Sequence, residues 1–74
     1  MEYELVHEIQ NLCPNNQMRD IFFDEVFTND PAAHVQQLLK GRAEGLSIQS
    51  GVAGQVTVYA QSDGLKHKFV FTPI

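Results

Sequence analysis

The sequence has few of the residue types on which small active sites and metal sites depend. It contains one cysteine, three histidines and no tryptophan among 74 residues. Because Cys13 is alone, no intrachain disulfide can form, and the chain is not a disulfide-stapled secreted domain. No two Cys or His residues have zinc-ligand spacing such as C-x-x-C or H-x-x-x-H. We therefore expect no metal site and no cofactor.

Sequence motifs for phosphate binding and for catalysis are also missing. No glycine-rich loop opens a helix, since Gly51 and Gly54 flank a predicted turn between strands. Cys13 precedes a proline in a predicted turn, which is not the setting of an activated nucleophile. Asp24 and Glu25 are adjacent in a predicted strand, so their carboxylates point to opposite faces. We expect no enzyme activity and assign no catalytic residue.

Length and hydropathy predict a single domain, residues 1–74, with no membrane segment. No apolar stretch approaches the roughly 18–20 residues that span a bilayer. The first residues, MEYELVHE, are acidic where a secretory signal would be basic. We therefore expect a cytoplasmic protein.

Charge is distributed unevenly along the chain. Residues 1–30 carry seven acids and one base, whereas residues 31–74 carry two acids and four bases, giving −6 and +2. An acidic segment repels nucleic acid and attracts basic protein surfaces, although solubility alone also accounts for such an excess.

Two strands are predicted in the first half. Residues 3–10 alternate, with Tyr3 and Leu5 on one face and Glu4 and Glu8 on the other. A helix is the competing interpretation for residues 3–12, because an apolar helical stripe also fits. Residues 20–28, DIFFDEVFT, form the second strand. Both of its faces carry apolar residues, so we expect it to be central or covered on both sides. Its faces comprise Ile21, Phe23 and Phe27 on one side, and Phe22, Asp24 and Val26 on the other.

One helix and three further strands follow. Asn29 or Asp30 caps a helix that starts at Pro31 and ends before Gly41. Residues 46–48, 55–60 and 66–72 are predicted strands, and Asp63-Gly64 is a hairpin signal. The fold class is α+β, a single small domain of order ββαβββ with about five antiparallel strands and one helix on one face.

This arrangement also predicts where several Phe, His and Lys side chains lie. We expect Phe69 and Phe71 under the helix as core, His7 and His67 at sheet edges, and Lys66 and Lys68 protecting an edge strand.

The carboxylates of the first two strands are the candidate binding site. Glu2, Glu4 and Glu8 share one strand face, and we expect Asp20 and Asp24 beside them on that face if the strands pair. Such a row imitates nucleic-acid phosphates and steers a basic protein onto this surface. The predicted partner-binding residues are Glu2, Glu4, Glu8, Asp20, Asp24 and Glu25.

Two alternatives stay open. One is a basic surface for nucleic acid, formed by Lys66, Lys68 and Arg42 with Tyr59. It ranks below protein binding, because the nearby phenylalanines, which would stack on bases, are expected in the core. The other alternative is an orphan structural domain that homodimerises by pairing edge strands.

Residues 13–26, CPNNQMRDIFFDEV, followed by a D-P helix start and a terminal KHKFxFTP, resemble a group of small proteins on mobile elements. These conjugative and phage-related elements belong to anaerobic Gram-positive bacteria. The resemblance brings no catalytic motif. The resemblance implies that the gene accompanies those of a mobile element. Short acidic proteins of such elements include anti-CRISPR proteins, which inhibit a CRISPR-associated nuclease. From this resemblance we expect a non-enzymatic inhibitor that binds a defence nuclease through the acidic row.

Overall fold

The computed structural model of the protein describes residues 1–11, 19–62 and 64–74, without the side chains of Asn11 and Arg19. The predicted ββαβββ order and the α+β class are confirmed, and residues 3–10 are strand rather than helix. The predicted turn at residues 14–16, Cys13 and Asp63 lie outside the described residues. The elements are β1 (Glu2–Asn11), β2 (Arg19–Phe27), α1 (Pro31–Leu38), β3 (Glu44–Ser50), a short 3-10 turn (Val52–Gly54), β4 (Val56–Ser62) and β5 (Leu65–Pro73).

The five strands form one antiparallel sheet in the order β2-β1-β5-β4-β3. The last strand lies in the middle of the sheet, between the first strand and the fourth. The chain leaves the sheet at the β2 edge, forms α1, and enters it again at the β3 edge. One helical connection therefore joins the two edge strands and covers one face of the sheet.

This strand order corrects three expectations. β2 is an edge strand, although apolar residues on both of its faces predicted a central or covered position. His7 and His67 were expected at sheet edges, but they lie on the inner strands β1 and β5. Lys66 and Lys68 also lie on β5, so they do not protect an edge. The second and third corrections have one cause, which is that β5 inserts between β1 and β4.

The helix starts and ends where its local sequence predicts. The Asp30 carboxylate accepts a hydrogen bond from the backbone N–H of Ala33, and Pro31 occupies the first turn. After Leu38 the chain reverses through Lys40 and Gly41, which have φ of 53° and 73°. A glycine in the left-handed region is the expected end signal for a helix.

The core lies between the helix and the facing side of the sheet. Val35 is the helix residue that is completely buried, and it belongs to the same core cluster as Phe69 and Phe71, which are also fully buried as predicted. The ring of Tyr3 contacts Phe71 edge-on, with centroids 5.8 Å apart. Among the described residues, the buried hydrophobic side chains are Tyr3, Leu5, Val35, Val58, Ala60, Phe69 and Phe71.

The opposite side of the sheet, here called the open face, has no helix over it in the described part of the chain. In antiparallel strands, residues directly opposite each other point to the same side, so the register assigns each side chain to a face. No helix among the described residues is long and apolar enough to span a membrane.

Candidate functional site

The open face carries its charges in two separate groups. At one end Glu4 lies directly opposite Glu25, and Glu2 lies opposite Phe27. At the other end β5 contributes Lys66 and Lys68, and Glu44 of β3 lies opposite Gln61 of β4, so it shares the face at this end. We call Glu2, Glu4 and Glu25 the acidic end, and Lys66 and Lys68 the basic end.

The acidic end is exposed, and the described part of the chain places no cation against it. Glu2, Glu4 and Glu25 are all exposed, and no ion pair joins them to a basic side chain within the described residues. The backbone N–H of Thr28 bonds to the Met1 carbonyl, so alternation makes Glu4–Glu25 a non-hydrogen-bonded pair. Side chains in such pairs approach most closely, and like charges directly opposite each other destabilise a sheet. The fold therefore tolerates a local repulsion here.

Glu8 differs from the other glutamates of β1. Its carboxylate lies 3.9 Å from the Lys68 ammonium, and Glu8 is opposite Lys68 in the β1–β5 pairing. Exposed pairs of this kind contribute about 0–1 kcal/mol to stability. Glu8 therefore lies in the basic end and is already neutralised by Lys68.

Two predicted site residues lie elsewhere. Asp20 is opposite Ile9 and Asp24 is opposite Leu5, so both aspartates point to the helix side of the sheet. The expectation that they join Glu2, Glu4 and Glu8 on one face was wrong. The register pairs even-numbered residues of β1 with odd-numbered residues of β2, which brings Glu25 to the open face in their place.

Aromatic side chains flank the acidic end. Phe23 and Phe27, on either side of Glu25 along the open face of β2, are 72% and 76% exposed. Val6 is directly opposite both Phe23 and Val70, so an apolar row crosses three strands at the middle of the open face. Full burial of a Phe side chain contributes about 1.5–3 kcal/mol. Because the rings of Phe23 and Phe27 are mostly exposed in the folded chain, most of this free energy remains available for binding a partner. We call Phe23, Val6 and Val70 the apolar row.

The residues of the nucleic-acid alternative are only partly brought together. Lys68 lies directly opposite Tyr59, and both border a shallow depression of about 360 Å³ with Lys66. Arg42 follows the helix and borders a different depression, with Leu39 and Ser62. The phenylalanines of β5 are fully buried, which removes them as stacking platforms.

A histidine pair on the helix side was not expected from the sequence. His7 Nε2 and His67 Nδ1 are 2.9 Å apart and joined by a hydrogen bond, and the His7 ring stacks on Phe69 at 4.0 Å between centroids. Burial, and secondarily the nearby His67, lowers the pKa of His7 to about 4. Each histidine shares a strand face with apolar residues, and the β1–β5 pairing brings the two rings together. Within the described residues, no three His, Cys, Asp or Glu side chains group as metal ligands.

Comparison with protein-family models, with curated proteins and with solved structures found no match for this chain.

Proposed function

We propose that this chain is a non-enzymatic protein-binding module that places the acidic end of its open face on a basic protein surface. The observation that carries the proposal is the grouping on one face of two exposed phenylalanines with three carboxylates that form no ion pair within the described residues. The carboxylates steer a basic partner and select it, and burial of Phe23 and Phe27 supplies most of the affinity.

The rigidity of the site supports this role. Glu4 belongs to an inner strand that is paired on both sides, so the partner meets a preformed surface. The Glu4–Glu25 repulsion is relieved when a lysine or arginine of the partner lies between the two carboxylates. That relief occurs only in the complex and therefore adds to the binding free energy.

Within this class, the resemblance to small mobile-element proteins favours a more specific role. We propose an anti-CRISPR-like inhibitor that acts in the cytoplasm and occupies the nucleic-acid channel of a defence nuclease. The nearest spacing of carboxylates along β1 is about 7 Å, since alternate residues of a strand share a face. Carboxylates repeated along a strand present a line of negative charge, as a nucleic-acid backbone does, which permits the row to occupy a phosphate-binding groove.

The test uses two double variants of equal charge change on the same face. The wild-type chain first captures its partner from a nuclease-treated host lysate, and the affinity is then measured with purified components. Glu4→Lys with Glu25→Lys is expected to weaken binding at least tenfold, roughly 1.4 kcal/mol or more. Lys66→Glu with Lys68→Glu, the matched control, is expected to keep the wild-type affinity or improve it.

Equal affinities for the wild type and the Glu4/Glu25 variant would exclude the acidic end as the binding site. For the inhibitor role, the readout is DNA binding by a purified CRISPR-associated nuclease in the presence of the chain. The proposal expects the wild type to block DNA binding and the Glu4/Glu25 variant to leave it intact.

A second candidate function rests on the grouping of Lys66, Lys68 and Tyr59 at the other end of the open face. Two lysines beside an exposed aromatic ring suit single-stranded nucleic acid. Direct binding of single-stranded DNA or RNA at low salt, lost in Lys66→Glu with Lys68→Glu, would favour this candidate, and no binding at low salt would remove it.

A further inference from the structure

The two edges of the sheet differ in whether their outward backbone groups are occupied. β2 forms one edge and β3 the other. Thr28 bonds to Met1 across the β1–β2 pair, so the odd-numbered residues of β2 direct their backbone groups outward. The N–H of Glu25 is one of these groups, and it donates to the Asp24 carboxylate at 2.9 Å. Asp24 therefore occupies a donor that an added strand would need, which protects the β2 edge.

The β3 edge has open backbone groups. The N–H of Gly51 bonds to the Gln55 carbonyl, so the odd-numbered residues of β3 bond to β4. The even-numbered residues therefore direct their backbone groups outward, and those of Ile48 and Ser50 have no hydrogen bond within the described residues. These donors and acceptors are available to an added strand.

The side chains of β3 do not block such a strand. Residues 46–50, LSIQS, contain neither a charge nor a proline, which are two of the usual edge protections. The irregularity in the β3–β4 pairing lies between Glu44 and Ser47, so residues 47–50 remain regular. Ile48 is 52% exposed on the helix side of the edge.

We propose that β3 pairs antiparallel with the β3 of a second copy, which joins the two sheets into one sheet of ten strands. Ile48 lies opposite Ile48 of the other copy, beside a two-fold axis perpendicular to the sheet. On the helix side the two isoleucines form an apolar cross-strand pair. On the open face each Ser47 lies opposite a Gln49, and these side chains are able to bond to each other.

Charge favours a second copy at the β3 edge and opposes one at the β2 edge. Pairing by β2 would bring Asp20, Asp24 and Glu25 of two chains onto adjacent strands, in a chain of net charge −4. In the β3 pairing, β1 and β2 lie roughly 14 and 19 Å from β3 of their own chain and farther from the other copy. These separations exceed the Debye length of about 8 Å at physiological ionic strength.

The charge of β3 itself does not oppose the pairing. Glu44 is the charged residue of this strand, and it lies four residues from Ile48. The two copies of Glu44 are therefore eight residues apart along the joined strands, roughly 27 Å. Since the pairing strand is short, the interface is smaller than the standard size, and we expect a transient dimer populated at about 1 mM chain.

Substitution beside the two-fold axis gives the sharpest test, because each change meets its own copy. Sedimentation equilibrium from about 20 µM to 1 mM measures the dissociation constant. Ile48→Lys and Ile48→Glu, each alone, place like charges opposite each other and should raise it at least tenfold. An equimolar mixture of the two variants pairs Lys with Glu and should associate within threefold of the wild type.

A backbone variant and a control on the other edge complete the test. Ser50→Pro removes an outward N–H and leaves the bonds to β4 intact, so it should also raise the dissociation constant at least tenfold. Phe23→Lys makes the same charge change as Ile48→Lys on an exposed residue of β2, and it should change the constant less than threefold. Circular dichroism checks that each variant is folded.

Three results would overturn the proposal. They are a monomeric wild type at about 1 mM, a Lys and Glu mixture of folded Ile48 variants that does not recover, and an equal effect of Phe23→Lys and Ile48→Lys. An unchanged constant in folded Ser50→Pro would overturn it as well.

This proposal goes beyond the function proposed above, and the two fail separately. The two-fold axis is perpendicular to the sheet, so both open faces lie on the same side of the dimer and both acidic ends stay uncovered. Ile48→Lys is expected to lose the dimer and keep the affinity of each chain for its partner. Glu4→Lys with Glu25→Lys is expected to lose the partner and keep the dimer.

Discussion

Acidification is expected to destabilise this domain through the histidine pair that joins β1 to β5. The His7 ring is held between His67, at 2.9 Å from nitrogen to nitrogen, and Phe69, at 4.0 Å between ring centroids. Burial lowers the pKa of His7 from 6.5 to about 4, and the adjacent His67 contributes to the decrease. The folded domain therefore keeps His7 neutral at pH values at which the unfolded chain protonates it.

The sign and the size of the effect follow from these two pKa values. Above pH 6.5 both states hold a neutral His7, and its contribution to the free energy of unfolding is fully present. As the pH falls from 6.5 to 4, the unfolded chain binds the proton first, so stability is lost across this window. The difference corresponds to at most about 3 kcal/mol, and partial solvent exposure reduces the expected loss to about 2 kcal/mol.

Urea unfolding followed by circular dichroism at pH 7.0 and pH 4.5 measures this loss. The variant His7→Phe keeps an aromatic ring against Phe69 and removes the titrating group, so its free energy of unfolding should depend less on pH by about 2 kcal/mol. His34→Gln is the control, since His34 lies on the helix and outside the pair, and it should follow the wild type. Parallel curves for the wild type and His7→Phe would refute the reasoning, whatever the absolute stability of the variant.

Three further predictions concern the fold and are read from urea midpoints. Val35→Ala should lower the free energy of unfolding by about 2 kcal/mol, because it leaves a cavity at the completely buried contact of the helix with the sheet; a change below about 0.5 kcal/mol would contradict this. Asp30→Ala should lower it by about 1 kcal/mol through loss of the helix cap, and Asp30→Asn should restore most of that loss. Phe23→Ser should change it by less than about 1 kcal/mol, since the ring is 72% exposed, and a larger loss would show that the ring supports the fold.

The parts of the fold that follow from short-range signals were predictable. Asp30, Pro31 and Gly41 fix the two ends of the helix through capping and backbone conformation, which depend on neighbouring residues alone. Alternation in residues 3–10 and 66–72 likewise identified the face of each strand that enters the core. These signals need no knowledge of which strands pair.

The strand order depends on long-range pairing, and it was not predictable from the sequence. Nothing local in residues 65–73 indicates that β5 lies beside β1, so the contact of His7 with His67 was missed. β2 was misplaced because exposed aromatic residues on an edge strand have the same pattern as buried ones on a central strand. The exposure of Phe23 and Phe27 is therefore a finding of the structure.

The candidate site was predictable in part. The open face does carry Glu2, Glu4 and Glu8, as alternation predicted, but the second row of acids was assigned to the wrong side. A shift of one residue in register moves every side chain of a strand to the other face, and single-sequence patterns do not define the register. Glu25 takes the position that Asp24 was expected to hold.

Methyl NMR of the chain with its purified partner tests most directly whether the open face is the binding surface. Val6, Val70 and Ile21 carry methyl groups on that face, while Val35 and Val58 carry theirs in the core on the helix side. The partner should shift or broaden the methyl signals of Val6, Val70 and Ile21 and leave those of Val35 and Val58 in place. Changes confined to Val35 and Val58 would place the partner on the helix side and contradict the proposal.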